Sequence, residues 1–240
     1  MNLSVSARQT SVVSGRSPFH FYFSMLVAVI VGVGFLPTLN HKLIHPAVPR
    51  PWILYVHAIV FTGWVLLFAI QSTLVWIGRR QWHRRLGLLG LGFGTIIPVL
   101  GIMTAITITR EDLAGGVADA EQSLIVPVFD MAAFAVLFWS AIYWRRRSDY
   151  HRRFMLLATA GLTVAAFARF PGWLIPDNAF YGAVDVLIAI AILRDWVATR
   201  RLHPIYRYAV PVLVAGQALT MWVLLSGNPI WRVIARMLLM

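Results

Sequence analysis

Three clusters of arginine divide the sequence, and each lies in a short segment between two long apolar runs. The clusters are residues 78–80, 145–147 and 200–201, and each is followed within a few residues by a histidine: His83, His151 and His203. Short loops that are rich in arginine stay on the cytoplasmic side of a bilayer. The clusters therefore predict a membrane protein whose alternate turns, which carry little arginine, lie on the outer side.

The composition supports this prediction. Hydrophobic residues make up 59% of the chain and charged residues only 12%, whereas a water-soluble chain of this length needs far more polar surface. The formal net charge of +12 does not indicate a nucleic-acid partner, because most arginines fall in turns beside anionic lipid headgroups. The chain has no cysteine, which excludes disulfides, thiolate metal sites and cysteine nucleophiles.

About seven apolar stretches approach the roughly 20 residues that a helix needs to cross the hydrocarbon layer. They cover residues 20–38, 52–77, 86–108, 123–144, 154–174, 179–197 and 207–226. The predicted fold is an all-α, polytopic membrane helix bundle with about seven transmembrane helices and a cytoplasmic N-terminus.

The sequence also predicts how the chain is divided. Residues 1–18 are polar and read as a disordered cytoplasmic tail, and residues 19–227 form the transmembrane domain. Residues 228–240 are too few to cross the bilayer. Their spacing separates the apolar side chains from Arg232 and Arg236, so we expect a short amphipathic helix lying in the interface.

Two segments near the arginine clusters resemble each other. The sequence HRRLGLL at residues 83–89 parallels HRRFMLL at residues 151–157, and His203 opens a looser version. Each would be a hairpin of two helices around a basic turn. Two alternative explanations fit this pattern. One is a true internal duplication, and the other is the general preference of cytoplasmic loops for arginine.

Ionisable residues inside the predicted helices form one candidate site. His57, Asp130 and Asp185 each lie several residues into a helix that begins on the outer side, at a similar depth of about 9 to 12 Å. Arg169 can approach the same layer, and Gln71 continues the helical stripe of His57. Such residues are costly in hydrocarbon unless sheltered. They either bond one helix to another or form a proton relay, a metal site or a substrate pocket.

The histidines beside the arginine clusters form a second candidate site. His83 and His151 begin equivalent helices of successive hairpins, so they could ligate a b-type haem from two helices at one depth. With His203 they could instead form a three-histidine zinc site for metal-assisted hydrolysis. The alternative is that these imidazoles contact lipid phosphates or the ends of neighbouring helices.

The motifs HRRLG at residues 83–87 and HRRFMLLAT at residues 151–159 resemble those of a group of uncharacterised bacterial multi-pass membrane proteins. This resemblance implies a bacterial cytoplasmic (inner) membrane location and no assigned activity. The chain is more distantly similar to cytochrome b561-type haem-binding bundles, in which His83 and His151 would match the cytoplasmic ligand pair. The outer pair is broken, because Asp130 stands where a second histidine would face His57. A looser similarity is to seven-helix zinc hydrolases of the ceramidase and adiponectin-receptor type, whose serine and paired-histidine motifs are absent.

Three functional classes follow from these features. The first is a membrane redox component that holds a b-type haem or a quinone near the cytoplasmic face. The second is a proton-linked small-solute carrier, or an accessory membrane subunit, that uses the layer of His57, Asp130, Arg169 and Asp185. The third is a zinc-dependent membrane hydrolase. The sequence assigns no enzymatic activity, and it leaves open a membrane-protein partner or a homo-oligomer.

Overall fold

A computed structural model describes residues 18–240, apart from the side chains of residues 41 and 42. Within residues 18–240 the chain forms helices and no strands. The predicted all-α membrane helix bundle is therefore confirmed. The predicted tail lies outside the described residues, except for Pro18.

The described helices follow the predicted apolar stretches closely. They are α1 (Phe19–Leu39), α2 (Trp52–Trp76), α3 (Arg80–Ala114), α4 (Ala120–Ser123), α5 (Ile125–Tyr143), α6 (Ser148–Gly161), α7 (Val164–Phe167), α8 (Phe180–Thr199), α9 (Pro204–Ser226) and α10 (Pro229–Leu239). A short π-helix, Asn40–Ile44, continues α1. At 1.5 Å per residue, α3 is about 52 Å long, so it extends well beyond a hydrocarbon layer of about 30 Å.

Five helical segments of the described chain are long and apolar enough to cross a membrane: α1, α2, α3, the joined α4 and α5, and α9. The chain is therefore a multi-pass membrane protein. Helix α8 also has sufficient length, but it carries Asp185, Arg194 and Asp195. The remaining predicted crossing is divided between α6 and α7. The predicted number of about seven crossings remains a prediction.

The divided crossing lies in the middle of the bundle. Helix α6 contacts α5, α8 and α9, and α7 contacts α1 and α8. Between them the backbone tightens, because the amides of Thr163, Ala166 and Arg169 each bond to the carbonyl three residues earlier. A break of this kind is tolerated at membrane depth where protein covers the backbone. Here α1 comes so close that a Cβ on Gly34 would overlap the backbone of Ala166.

The three arginine clusters lie at one end of the bundle, which we call the arginine-rich end. The ring of His83 lies beside that of His151, so the first two basic turns are neighbours. The ring of His203 contacts Tyr150, which brings in the third turn. The prediction that these turns share one side of the membrane agrees with this arrangement.

The opposite end, which we call the acidic end, carries the loop between α3 and α5 and the C-terminal helix α10. Arg236 bonds to the buried carboxylate of Glu121 at 3.0 Å, and Arg232 pairs with Asp119 at 3.0 Å. The indole of Trp231 donates to the carbonyl of Gln122 at 3.2 Å. Helix α10 is amphipathic, as predicted from its spacing, but its arginines contact the protein, whereas its apolar residues are largely exposed.

Candidate functional site

The structure places the two histidines of the repeated motif side by side at the arginine-rich end. His83 lies in the first turn of α3, and His151 lies in the first turn of α6. Their ring centroids are 6.4 Å apart, and the ring planes are inclined by 79°. The equivalent positions of the two motifs in successive hairpins thus bring two imidazoles from different helices to one level.

A backbone carbonyl orients the imidazole of His151. Its Nδ1 is 2.8 Å from the carbonyl oxygen of Ala141, near the end of α5. Because a carbonyl can only accept, Nδ1 carries the proton and donates it. The lone pair of the ring is therefore on Nε2. This carbonyl contact is the kind of outer partner that fixes the tautomer of a metal-ligating histidine.

The surroundings of His83 contain two buried polar atoms that have no hydrogen-bond partner among the described residues. One is Nδ1 of His83 itself, and the other is Oε1 of Gln71. The amide nitrogen of Gln71 donates to the backbone carbonyl of His83 at 3.1 Å. Gln71 therefore belongs to the histidine pair, at the opposite end of α2 from His57.

His203, the third histidine of the predicted metal site, has other contacts. Its Nδ1 accepts from the backbone amide of Ile205 at 3.3 Å and caps α9, and its Nε2 is 3.4 Å from the carboxylate of Asp149. Burial, together with the positive charge of Arg153, lowers the pKa of His203 in spite of this carboxylate. Both ring nitrogens of a neutral imidazole are thus engaged.

No group of three or more His, Asp or Glu residues that could hold a metal ion occurs within the described part of the chain. The structure thus brings His83 and His151 together, whereas His203 joins Asp149 instead.

A buried ion pair lies behind the histidine pair and has no counterpart in the sequence-based predictions. Arg153 donates to Asp195 at 2.5 Å, and their side chains are only 4% and 5% exposed. The same guanidinium donates to the carbonyl of Asp149 at 2.7 Å, and Arg194 donates to the other oxygen of Asp195 at 2.8 Å. The pair joins α6 to α8 two residues after His151, so it fixes the start of α6.

The residues of the predicted outer layer have separate side-chain partners in the structure. His57 stacks on Phe61 with ring centroids 3.9 Å apart. Arg169 lies over the ring of Phe35 at 4.4 Å and donates to the carbonyl of Ala165. Helix α2 packs mainly against α1 and α3, whereas α5 packs mainly against α3, α6 and α9. Trp64 of α2 contacts Phe134 of α5 at 5.3 Å, but no ion pair joins His57 to an acid among the described residues.

The two acids of that layer face neutral polar side chains. Asp130 on α5 accepts from the hydroxyl of Tyr181 on α8 at 2.9 Å. Asp185, one turn after Tyr181, faces Gln217 on α9, whose amide nitrogen reaches both carboxylate oxygens at 2.9 and 3.3 Å when the amide is oriented toward them. The amide orientation is assigned from these contacts. The acids thus lie in a polar seam between α5, α8 and α9.

Comparisons with known proteins give no match: no protein-family model, curated protein or solved structure is detectably similar to this chain. The two polar sites in the chain therefore rest on their own geometry. The histidine pair offers two nitrogen ligands from two helices, and the seam offers two carboxyl groups with neutral partners.

Proposed function

We propose that this chain is a membrane redox component that binds a b-type haem between His83 and His151 at the arginine-rich end. The observation that supports this proposal is the facing pair of imidazoles, with 6.4 Å between ring centroids. Two histidines from different helices at one depth are an established way of holding haem iron.

The spacing of the pair suits a shared metal ion. A metal lies about 2.0 Å from an imidazole nitrogen, and the ring centre lies about 1 Å further on, so two imidazoles on opposite sides of one ion have centroids roughly 6 Å apart. The centroid separation of 6.4 Å between His83 and His151 is close to this value. Nδ1 of His83 has no hydrogen-bond partner among the described residues, so it is available as a ligand.

Residues around the pair have separate roles in this proposal. The carbonyl of Ala141 keeps the Nε2 lone pair of His151 available. The arginines that follow the two histidines, Arg84 and Arg152, are exposed cations near the site and suit the acidic side groups of a porphyrin. A haem held in this way supplies a one-electron couple between ferric and ferrous iron.

We further propose that the arginine-rich end faces the cytoplasm of a bacterial cell and that the chain resides in the cytoplasmic membrane. The distribution of arginine supports this orientation. The resemblance of the HRRLG and HRRFMLLAT motifs to bacterial multi-pass membrane proteins supports the location. Electrons would then enter or leave at the cytoplasmic face.

The experiment is an absorption spectrum, with metal analysis, of the full-length protein purified from haem-supplemented cells. We expect a Soret band and one iron per chain. His83→Ala and His151→Ala should each abolish the band, because each removes one of the two histidines that would hold the haem.

His45→Ala is a matched control, because His45 is exposed and its ring bonds to Asn40 in the preceding π-helix, away from the histidine pair. It should leave the band unchanged. His203→Ala should also retain the band, since His203 contacts Asp149 and caps α9. Protein that accumulates normally and is colourless, or that holds zinc lost in His203→Ala, would overturn the proposal.

A further inference from the structure

A polar seam connects the middle of three helices to the acidic end of the bundle. It comprises Asp130 on α5, Tyr181 and Asp185 on α8, and Gln217 and Thr220 on α9. Tyr181, Gln217 and Thr220 are almost completely buried. Polar residues at four- and three-residue spacing on α8 and α9 place their side chains on the facing sides of these two helices.

The first acid of the seam has only neutral partners. Tyr181 donates to Asp130 at 2.9 Å, and the hydroxyl of Thr220 on α9 donates to the carbonyl of Gly216 at 2.8 Å. No arginine or histidine lies within ion-pair distance of Asp130 or Asp185 among the residues that the structure describes. The guanidinium of Arg169, which the sequence placed in the same layer, lies over the ring of Phe35 on α1. An ionised carboxylate with such neighbours is costly in hydrocarbon.

The second acid has a partner that can serve both protonation states. Gln217 donates through its amide nitrogen to an ionised Asp185 at 2.9 and 3.3 Å. In the opposite amide orientation its oxygen accepts from a protonated Asp185, because a glutamine side chain carries both a donor and an acceptor. A rotation of one amide group therefore accommodates the loss or gain of a proton.

An open cavity of about 530 Å³ lies at the acidic end, directly beyond the seam. Its lining includes Ser123 just before α5, Asn178 just before α8 and Leu224 near the end of α9. One helical turn below Leu224 is Thr220, and Tyr181 follows Asn178 by three residues, at the start of α8. Asp130 is two turns below Ser123. The lining residues thus lie one to two helical turns from the seam, on the same three segments of the chain.

We propose that Asp130 and Asp185 form a proton-binding site, protonated at neutral pH in the folded protein, which exchanges protons with the acidic end through this cavity. The ligand is the proton itself, and Tyr181 and Gln217 provide the hydrogen bonds to the two acids. This site is separate from the histidine pair and does not depend on a bound haem.

The experiment is an infrared spectrum of the full-length protein in lipid vesicles at neutral pH. A protonated carboxyl group has a C=O stretching band that a carboxylate lacks. We expect this band in the wild-type protein, a shift of the band in D₂O, and the loss of a distinct component in each of Asp130→Asn and Asp185→Asn. Asp177→Asn, in an exposed loop, is the matched control and should leave the band unchanged.

Two further variants keep the test decisive if an Asp→Asn protein does not fold. Tyr181→Phe removes the hydrogen bond to Asp130 and should move the band without abolishing it. Asn178→Cys adds a unique thiol to the cavity, because the chain has no cysteine, and a bulky label there should slow the exchange of the band in D₂O. A wild-type protein without the band, or a band unaffected by both Asp→Asn variants and Tyr181→Phe, would overturn the proposal.

Discussion

The two halves of the bundle pair their carboxyl groups in different ways. Near the arginine-rich end, Asp195 bonds to Arg153 at 2.5 Å and to Arg194 at 2.8 Å. Toward the acidic end, Asp130 and Asp185 bond only to neutral side chains among the described residues. An acid between two guanidinium groups stays ionised, whereas an acid with neutral partners in hydrocarbon favours its protonated form. The first arrangement fixes helices in place, and the second can bind and release a proton.

This difference fits the separate roles that we propose for the two halves. A pair of metal ligands requires a rigid frame, since small displacements of the ligands weaken the site. The Arg153–Asp195 pair provides such a frame two residues from His151. A proton site requires a group whose charge changes without a large rearrangement. The amide of Gln217 beside Asp185 allows that change.

The largest effect that we expect comes from breaking the buried ion pair. Asp195→Asn keeps the shape of the side chain but leaves Arg153 buried without its full counter-charge. Removing one partner of a buried pair costs about 3 to 5 kcal/mol. Thermal unfolding of the purified protein in detergent should show a correspondingly lower midpoint.

The matched comparison is a variant that removes both charges. Arg153→Met with Asp195→Leu should recover most of the lost stability, because no buried charge is left unpaired. If the double variant is less stable than Asp195→Asn alone, the pair does not act as a unit.

The next effect concerns the attachment of α10. Arg236→Ala removes the two hydrogen bonds that Arg236 donates to Glu121 at 3.0 and 3.3 Å and leaves a buried carboxylate behind. An unpaired buried group costs about 1 to 3 kcal/mol. We expect α10 to detach more often, which protease sensitivity of the C-terminus would detect.

Arg207→Ala is a suitable control, because Arg207 is at the arginine-rich end, far from α10. Its guanidinium is 6.0 Å from the centre of the Tyr208 ring. It should leave the C-terminus as protected as in the wild type. Equal protease sensitivity of the two variants would refute the role of Arg236.

A smaller effect is expected in the pH dependence of stability. Burial keeps the pKa of His203 below its ordinary value, so the folded state binds fewer protons here than the unfolded state does. The free energy of unfolding therefore falls as the pH drops below the ordinary histidine pKa of about 6.5. His203→Asn retains a good helix cap and should flatten this decline between about pH 7 and about pH 5.

His45→Asn provides the comparison for His203, because His45 is exposed at the acidic end. Unfolding midpoints at a series of pH values would measure both variants. The prediction fails if His203→Asn and His45→Asn follow the same curve.

The smallest effect is expected at Asp130. If this acid is protonated, Asp130→Asn replaces a neutral carboxyl group with a neutral amide of nearly the same shape, and Tyr181 can still donate to its oxygen. The free energy of unfolding should change by less than about 1 kcal/mol. A loss as large as that of Asp195→Asn would show that both halves bury ionised acids.

The sequence predicted the helices and the position of the histidine pair well, for simple physical reasons. Apolar stretches of sufficient length become helices in a bilayer, because the backbone must satisfy its own hydrogen bonds there. His83 and His151 occupy the same position in two similar segments. Similar hairpins that pack side by side place equivalent residues at one depth, and the structure shows their rings in proximity.

The layer around His57 could not be predicted from depth alone, because depth does not say which helices are neighbours. The break near Gly161 in the fifth predicted crossing could not be predicted either, because the sequence of this stretch is apolar on both sides of the break. In the structure this tightened segment ends at Phe170 and directs Arg169 toward Phe35 on α1. Arg169 consequently bonds to the carbonyl of Ala165 and does not reach the acids of α5 and α8.

Other functional residues were overlooked although the sequence carries a signal for them. Arg153 looks in the sequence like another arginine of a basic turn. Asp195 carries the signal, because it is an acid beside a basic cluster and such an acid needs a nearby cationic partner. Gln217 and Thr220 are polar residues three apart in an apolar helix, and Tyr181 is four residues before Asp185. These spacings indicate facing polar sides on α8 and α9.

The most direct test of the proposed redox function is the electron paramagnetic resonance spectrum of the oxidised, haem-loaded protein. If His83 and His151 are the two axial ligands, the wild-type protein gives the low-spin signal of iron between two imidazoles. That signal is then lost in His83→Ala and in His151→Ala, and it persists in His203→Ala. A high-spin signal in the wild-type protein, or a low-spin signal that survives both single substitutions, would contradict the proposal.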